Sequence, residues 1–172
     1  MCSVVKYGIW NVSEPKMVAV NALVSSGYKP LTAMILAARG IADGKKAGEY
    51  LDCNAPLIDP FSLTDMDLAV GRIGLAMERQ ELIAVFGDYD VDGITATCLL
   101  TDFLRSCGAR CISYIPGRLE EGYGLNPIAL RQLSSQGVNL IITVDCGITA
   151  VEEAQLCKEL GIDLVITDHH EC

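Results

Sequence analysis

The sequence predicts an α/β protein: a parallel sheet with helices on both faces, preceded by a short helical lead-in. Three observations carry this. Four short apolar runs, 82–86, 111–115, 140–144 and 164–167, have the length and residue types of buried strands. Between them, 94–106, 127–136 and 149–160 carry apolar residues at helical spacing. Strands alternating with amphipathic helices imply right-handed crossovers, hence parallel strands with helices packed on both faces.

The lead-in spans residues 1–58. Trp10-Asn11-Val12-Ser13-Glu14-Pro15 reads as an extended piece entering a helix with Pro15 in its first turn. Lys29 to Gly40 reads as a helix with Pro30 near its start and Gly40 at its end. A second short helix is expected over 43–51. Asp59-Pro60-Phe61 is a turn signal that opens the second region, 59–172. Its first element is a helix over 62–79, with Leu63, Met66, Ala69, Val70, Ile73, Ala76 and Met77 at mostly helical steps. The strand and helix alternation follows.

Composition narrows the function classes. A hydrophobic fraction of 51% and a mean hydropathy of +0.33 support a core and exclude a disordered chain. The longest apolar run is about six residues, against roughly 20 for a membrane span. The N-terminus lacks a basic stretch followed by a long apolar one, so it does not read as a signal peptide. A cytoplasmic protein without a membrane partner is the expectation. Of the eight cysteines, at 2, 53, 98, 107, 111, 146, 157 and 172, none forms C-x-x-C. They read as structural thiols rather than zinc ligands; Cys146 stands apart because it follows Asp145. The net charge of −9 opposes a basic nucleic-acid surface unless bound ions offset the acids.

The chemistry gathers at strand ends. Run 82–86 leads into Gly87-Asp88-Tyr89-Asp90-Val91-Asp92-Gly93, three carboxylates at alternate positions before a helix. Phosphate-cradling turns expose backbone N–H groups through glycines, whereas acids repel phosphate unless metal ions lie between. The stretch therefore reads as a divalent-metal site, and otherwise as an acidic surface turn. Run 140–144 leads to Asp145-Cys146-Gly147, and run 164–167 to Asp168-His169-His170-Glu171. The carboxyl ends of parallel strands share one edge, where these groups can meet. Alone, the histidines would read as a surface pair and Asp145 as a helix cap; together the three ends read as a site. Mixed carboxylate and imidazole donors favour Mn²⁺ or Mg²⁺ over Zn²⁺.

The segments GDYDVDG, YIPGRLEEGYG, IITVDCGITAVEEA and ITDHHE resemble the DHH phosphoesterase superfamily. Within it they resemble the RecJ family of single-strand-specific 5′→3′ DNA exonucleases, over roughly residues 56–172. The string from Tyr114 to Gly124 separates that family from small-nucleotide phosphodiesterases of the superfamily. The resemblance implies two Mn²⁺ or Mg²⁺ ions, with Asp90 and Asp92 on different ions, Asp145 bridging and His169 completing one sphere. Asp88 and Asp168 would support ligands and water, His170 would lie near the phosphate or leaving group, and Arg118 would contact phosphate. Many relatives carry His where Phe86 stands. A water activated by the two ions would attack phosphorus in line. Single-stranded DNA is the implied substrate, in repair and recombination, with a helicase or single-strand-binding protein as partner.

The sequence stops at Cys172, two residues past the second histidine, while the superfamily pattern continues. The DHH domain is therefore expected to be incomplete, with at most a weakened metal site. The remaining readings are a small-nucleotide phosphodiesterase and a catalytically inactive fragment or binding module.

Overall fold

The computed structural model describes residues 14–52, 57–117 and 122–171, so the extended piece expected over Trp10 to Ser13 lies outside the described residues. The chain divides into two compact units, Met1–Asp59 and Pro60–Cys172. In the first, α1 (Met17–Ser25), α2 (Pro30–Ala38) and α3 (Gly44–Leu51) enclose a small core of Val20, Leu23, Ala33, Leu36 and Ala47. Pro30 occupies the first turn of α2, and Asp43 caps α3 by accepting the Lys46 N–H at 2.9 Å. Pro15 is not in a first turn: α1 begins at Met17 with Lys16 as its N-cap, so the proline stands one residue outside.

In the second unit a 3₁₀ turn, Pro60–Ser62, precedes α4 (Met66–Glu78). The helix starts later than residue 62 because the proline turn, then Asp65 in the left-handed region (φ 58°), occupies the intervening positions. The rest follows as β1 (Leu82–Gly87), α5 (Val91–Ser106), β2 (Arg110–Tyr114), α6 (Pro127–Ser135), β3 (Val138–Val144), α7 (Val151–Glu159) and β4 (Asp163–Thr167). The four strands form one parallel sheet in the order β2-β1-β3-β4. No helix among the described residues is long and apolar enough to cross a membrane.

Side-chain alternation sorts the two cores. Ala84 and Phe86 of β1 and Ile141 of β3 join Leu130 and Leu133 of α6 and Cys157 of α7. Ile83 and Val85 of β1 with Leu140 and Ile142 of β3 face the other way, against Ala76 of α4 and Leu104 of α5. Both central strands are buried on both faces, which is why their sequences are apolar at nearly every position. The face exchange from α5 to α6 and α7 accompanies a reversal of direction, since β1 connects outward to β2 while β3 connects the opposite way to β4. The carboxyl ends of β1 and β3 flank this reversal, where open α/β sheets hold their ligands.

The β1–α5 junction tolerates no extra atoms. A methyl group on Gly93 would run into the backbone of Asp88, and one on Gly87 into the Thr97 hydroxyl. We expect Gly93→Ala to destabilise the fold by about 1–3 kcal/mol, as overpacking against unyielding backbone does. Urea unfolding measures this, and an unchanged midpoint would contradict it.

Candidate metal centre

The site is assembled at the carboxyl ends of β1, β3 and β4. After β1, Asp88 is 4% exposed and its Oδ1 accepts the Tyr89 N–H at 2.7 Å. Asp90 is the N-cap of α5, its Oδ1 accepting the Gly93 N–H at 2.9 Å. Asp92 lies in the first turn of α5, beside the positive end of the helix. The helix therefore starts three residues earlier than its apolar periodicity indicates, because the cap and the first turn are acidic rather than apolar.

After β3, Asp145 adopts a left-handed conformation (φ 62°), which Asp tolerates better than most residues. Its N–H donates to the Thr167 carbonyl at 3.1 Å, extending the β3–β4 pairing by one step. Two threonines lock the same ends together: Thr167 Oγ1 donates to the Thr143 carbonyl at 2.6 Å, and Thr143 Oγ1 accepts the Thr167 N–H at 3.3 Å. The Asp145 side chain is 7% exposed. Its Oδ1 lies 3.2 Å from His169 Nδ1, yet it has no hydrogen-bond partner among the described residues. Burial, then the nearby charge of Asp90, raises its pKa, with the charges of His169 and His170 acting in the opposite sense.

Asp168, after β4, is the most fully satisfied group of the site. Its Oδ1 accepts the N–H groups of His169 (2.8 Å) and His170 (3.1 Å) and meets His170 Nδ1 at 2.7 Å. Its Oδ2 accepts the Ile148 N–H at 3.0 Å, tying the β4 end to the loop after β3. Burial opposes the charged form, but the backbone donors and the His170 ring outweigh it, so the carboxyl sits below its usual range. The same hydrogen bond raises His170 above an ordinary imidazole. The two imidazoles stack with ring centroids 4.5 Å apart and planes 24° from parallel.

Metal-competent atoms of Asp145, Asp168, His169 and His170 lie within 4.8 Å of one another. Asp90 and Asp92 stand outside this group, although their charges are felt at Asp145. Arg118 lies outside the described residues. Cys146 is no ligand: it is fully buried, its Sγ faces the Phe86 carbonyl at 3.9 Å, and burial pushes the thiol up to about 12. Phe86 is likewise core, stacked on Tyr114 at 5.3 Å. Asp145 is no helix cap; α7 has Ala150 at its N-cap. Among the described cysteines, Cys111 and Cys157 are buried with Cys146, whereas Cys98 and Cys107 are exposed, the latter just past the end of α5.

Two open spaces adjoin the cluster. A groove of about 550 Å³ is lined by Leu99 and Val144 together with Asp92, Asp145 and His169. A smaller cleft of about 210 Å³ is bounded by Tyr123, Leu125, Thr149 and Glu153. Tyr123 forms an edge-to-face pair with Tyr89, at a centroid distance of 6.3 Å and an angle of 82°. Its phenol is raised by burial and then by the charges of Asp88 and Asp168. The sequence offered no signal for this pair beyond membership of the YIPGRLEEGYG string.

A four-stranded parallel sheet with acids and imidazoles at its carboxyl edge defines a class. Residues 82–172 match the DHH family, N-terminal domain, and the chain belongs to that family. It is 42% identical to the single-stranded-DNA-specific exonuclease RecJ of Bacillus subtilis (strain 168) over 164 residues, 94% of this chain but 21% of that protein. The chain thus spans about a fifth of the length of this curated relative. Among solved structures, exonuclease RecJ bound to manganese is similar with a TM-score of 0.62 and 38% identity, over 67% of this chain and 30% of that one. RecJ in complex with Mn²⁺ from Thermus thermophilus gives a TM-score of 0.66 and 27% identity, over 93% of this chain and 22% of that one.

Proposed function

We propose that this chain hydrolyses phosphodiester bonds of single-stranded DNA from the 5′ end, using two divalent ions, Mn²⁺ or Mg²⁺. The observation that carries the reading is Asp145 Oδ1: a nine-tenths-buried carboxylate oxygen without a hydrogen bond, among three further ligand side chains. A buried charge left in this way is costly unless a cation meets it. The donors are carboxylate and imidazole, the set that suits Mn²⁺ and Mg²⁺. The names of the RecJ relatives supply the substrate class, and the two manganese-bound RecJ structures supply the ion.

In this reading Asp90, Asp92, Asp145 and His169 would hold the two ions. The ions, when bound, would act as Lewis acids toward water and phosphoryl oxygens. The protein's own groups do the rest. Asp168 orients the 168–170 turn and, through its hydrogen bond to Nδ1, favours the protonated form of His170. That leaves Nε2 of His170 to meet a phosphate or leaving-group oxygen. Asp88 supports the turn that carries Asp90 and Asp92, and Arg118 contacts phosphate. A single-strand-specific enzyme needs unpaired ends, so a helicase to expose them or a single-strand-binding protein to hold them would be its partner in cytoplasmic repair and recombination.

The test is digestion of a 5′-labelled oligonucleotide, single-stranded or annealed, with Mn²⁺ or with a chelator. Mononucleotides are expected from the 5′ end of the single strand only, and only with the ion. A chain that binds Mn²⁺ yet releases no nucleotide would overturn the proposal.

A further inference from the structure

The metal centre accounts for the phosphate of a substrate but not for its base. Tyr123 is an aromatic group beside the site, near enough to feel the charges of Asp88 and Asp168. Gly122 and Gly124, both in the left-handed region (φ 83° and 72°), flank it and turn the chain sharply on each side. The residue is 54% exposed, and its ring meets the half-buried Tyr89 edge to face. Tyr89 itself follows Asp88, so Tyr123 leans on the same turn that carries the acids. The cleft beside Tyr123 is tied to the centre, because Ile148, between its lining residues Gly147 and Thr149, donates to Asp168.

We infer that Tyr123 is the base platform of the site: it stacks on the nucleobase next to the scissile phosphodiester, and the cleft with Thr149 and Glu153 receives that base. Charge decides which part of a nucleotide goes where. Glu153 in the cleft repels a phosphate but can accept hydrogen bonds from a base amine or a sugar hydroxyl. The phosphate is left to the ion-binding cluster. Stacking on an aromatic ring is tolerant of sequence because every base has a π-face, which suits an enzyme that must accept each nucleotide in turn.

This inference rests on the proposed single-strand substrate, and the experiment separates the two. The full chain is titrated with a short single-stranded oligonucleotide carrying 2-aminopurine at its 5′ end, and with one that is abasic there. Ca²⁺ replaces the catalytic ion to suppress cleavage. Wild type and Tyr123→Phe are expected to bind the base-containing strand tighter by on the order of 5- to 100-fold, with quenched 2-aminopurine fluorescence. Tyr123→Ala is expected to bind both strands alike while keeping the wild-type circular dichroism and Mn²⁺ affinity. Equal binding of the two strands by wild type, or a preference that survives in Tyr123→Ala, overturns the platform and leaves the substrate class standing. No binding of either strand overturns both.

Discussion

Asp145→Asn is expected to lose its divalent ions and to become more stable without them. The carboxylate is nine-tenths buried and its Oδ1 has no hydrogen bond; His169, 3.2 Å away, offsets its charge only in part, since burial and Asp90 still raise the carboxyl. Asn fits the same left-handed backbone and removes that charge. Stability of the ion-free protein should rise by about 1 kcal/mol at neutral pH. The sign follows from the raised folded pKa: the contribution of Asp145 is fully favourable below the ordinary carboxylate range and is lost as pH rises through its folded value. The variant should therefore lack that part of the decline. Mn²⁺ affinity should fall by at least about 100-fold, beyond the effect of a supporting group. Because protons compete with the ion for the same oxygen, wild-type affinity should weaken on acidification at a pH above that of an ordinary Asp site. Calorimetry across pH reads both effects, and an unaltered Mn²⁺ affinity in the variant would remove Asp145 from the centre.

Asp168→Asn is expected to do the opposite to stability. The carboxylate accepts three backbone N–H groups and a ring nitrogen, using both oxygens. An amide can face only one of those sides with an acceptor; its NH₂ then meets either Ile148 or the histidine N–H groups, donor against donor. The loss should be about 3 kcal/mol, given that hydrogen bonds to a charged group contribute roughly 1.5–3 each and do not add fully. The pH profile identifies the pair. Asp168, held low, stabilises above the ordinary carboxylate range, and its contribution disappears as pH falls through its folded value. His170, held high, stabilises below its ordinary 6.5, and its contribution disappears as pH rises through its folded value. The pair thus works in a window between the two, and Asp168→Asn should flatten both edges. Chemical unfolding at several pH values measures it; a variant with the wild-type profile would contradict the role given to Asp168.

Much of this was legible in the residue pattern. The four strands are found where the apolar runs lie, most plainly β1 and β3, whose burial on both faces leaves almost no room for polar positions. The convergence of Asp88, Asp145 and Asp168 at one edge follows from parallel strands alone. What could not be read is how each acid spends its oxygens. Asp90 caps a helix and Asp168 organises a turn, whereas Asp145 is left with an oxygen unbonded, yet all three look alike as letters. The start of α5 was obscured for the same reason, since a cap announces itself by a hydrogen bond and not by hydrophobic spacing. Cys146 sits beside Asp145 in the chain but on the other side of the backbone, in the core.

The order β2-β1-β3-β4 places the strand that carries both histidines at an edge of the sheet. Among the described residues β4 is laddered to β3 alone, so alternate amides along it face outward and are expected to exchange with solvent faster than those of β1 or β3. Its upper end is where the Thr143–Thr167 lock, the Asp145 N–H and the Asp168 turn accumulate. A cation held between Asp145 and His169 would join that end to β3 by a further link, and its binding energy would resist every opening that parts the two strands. Fraying of β4 and escape of the ion are then one motion, and the exchange rate of its amides becomes a gauge of how often the centre comes apart.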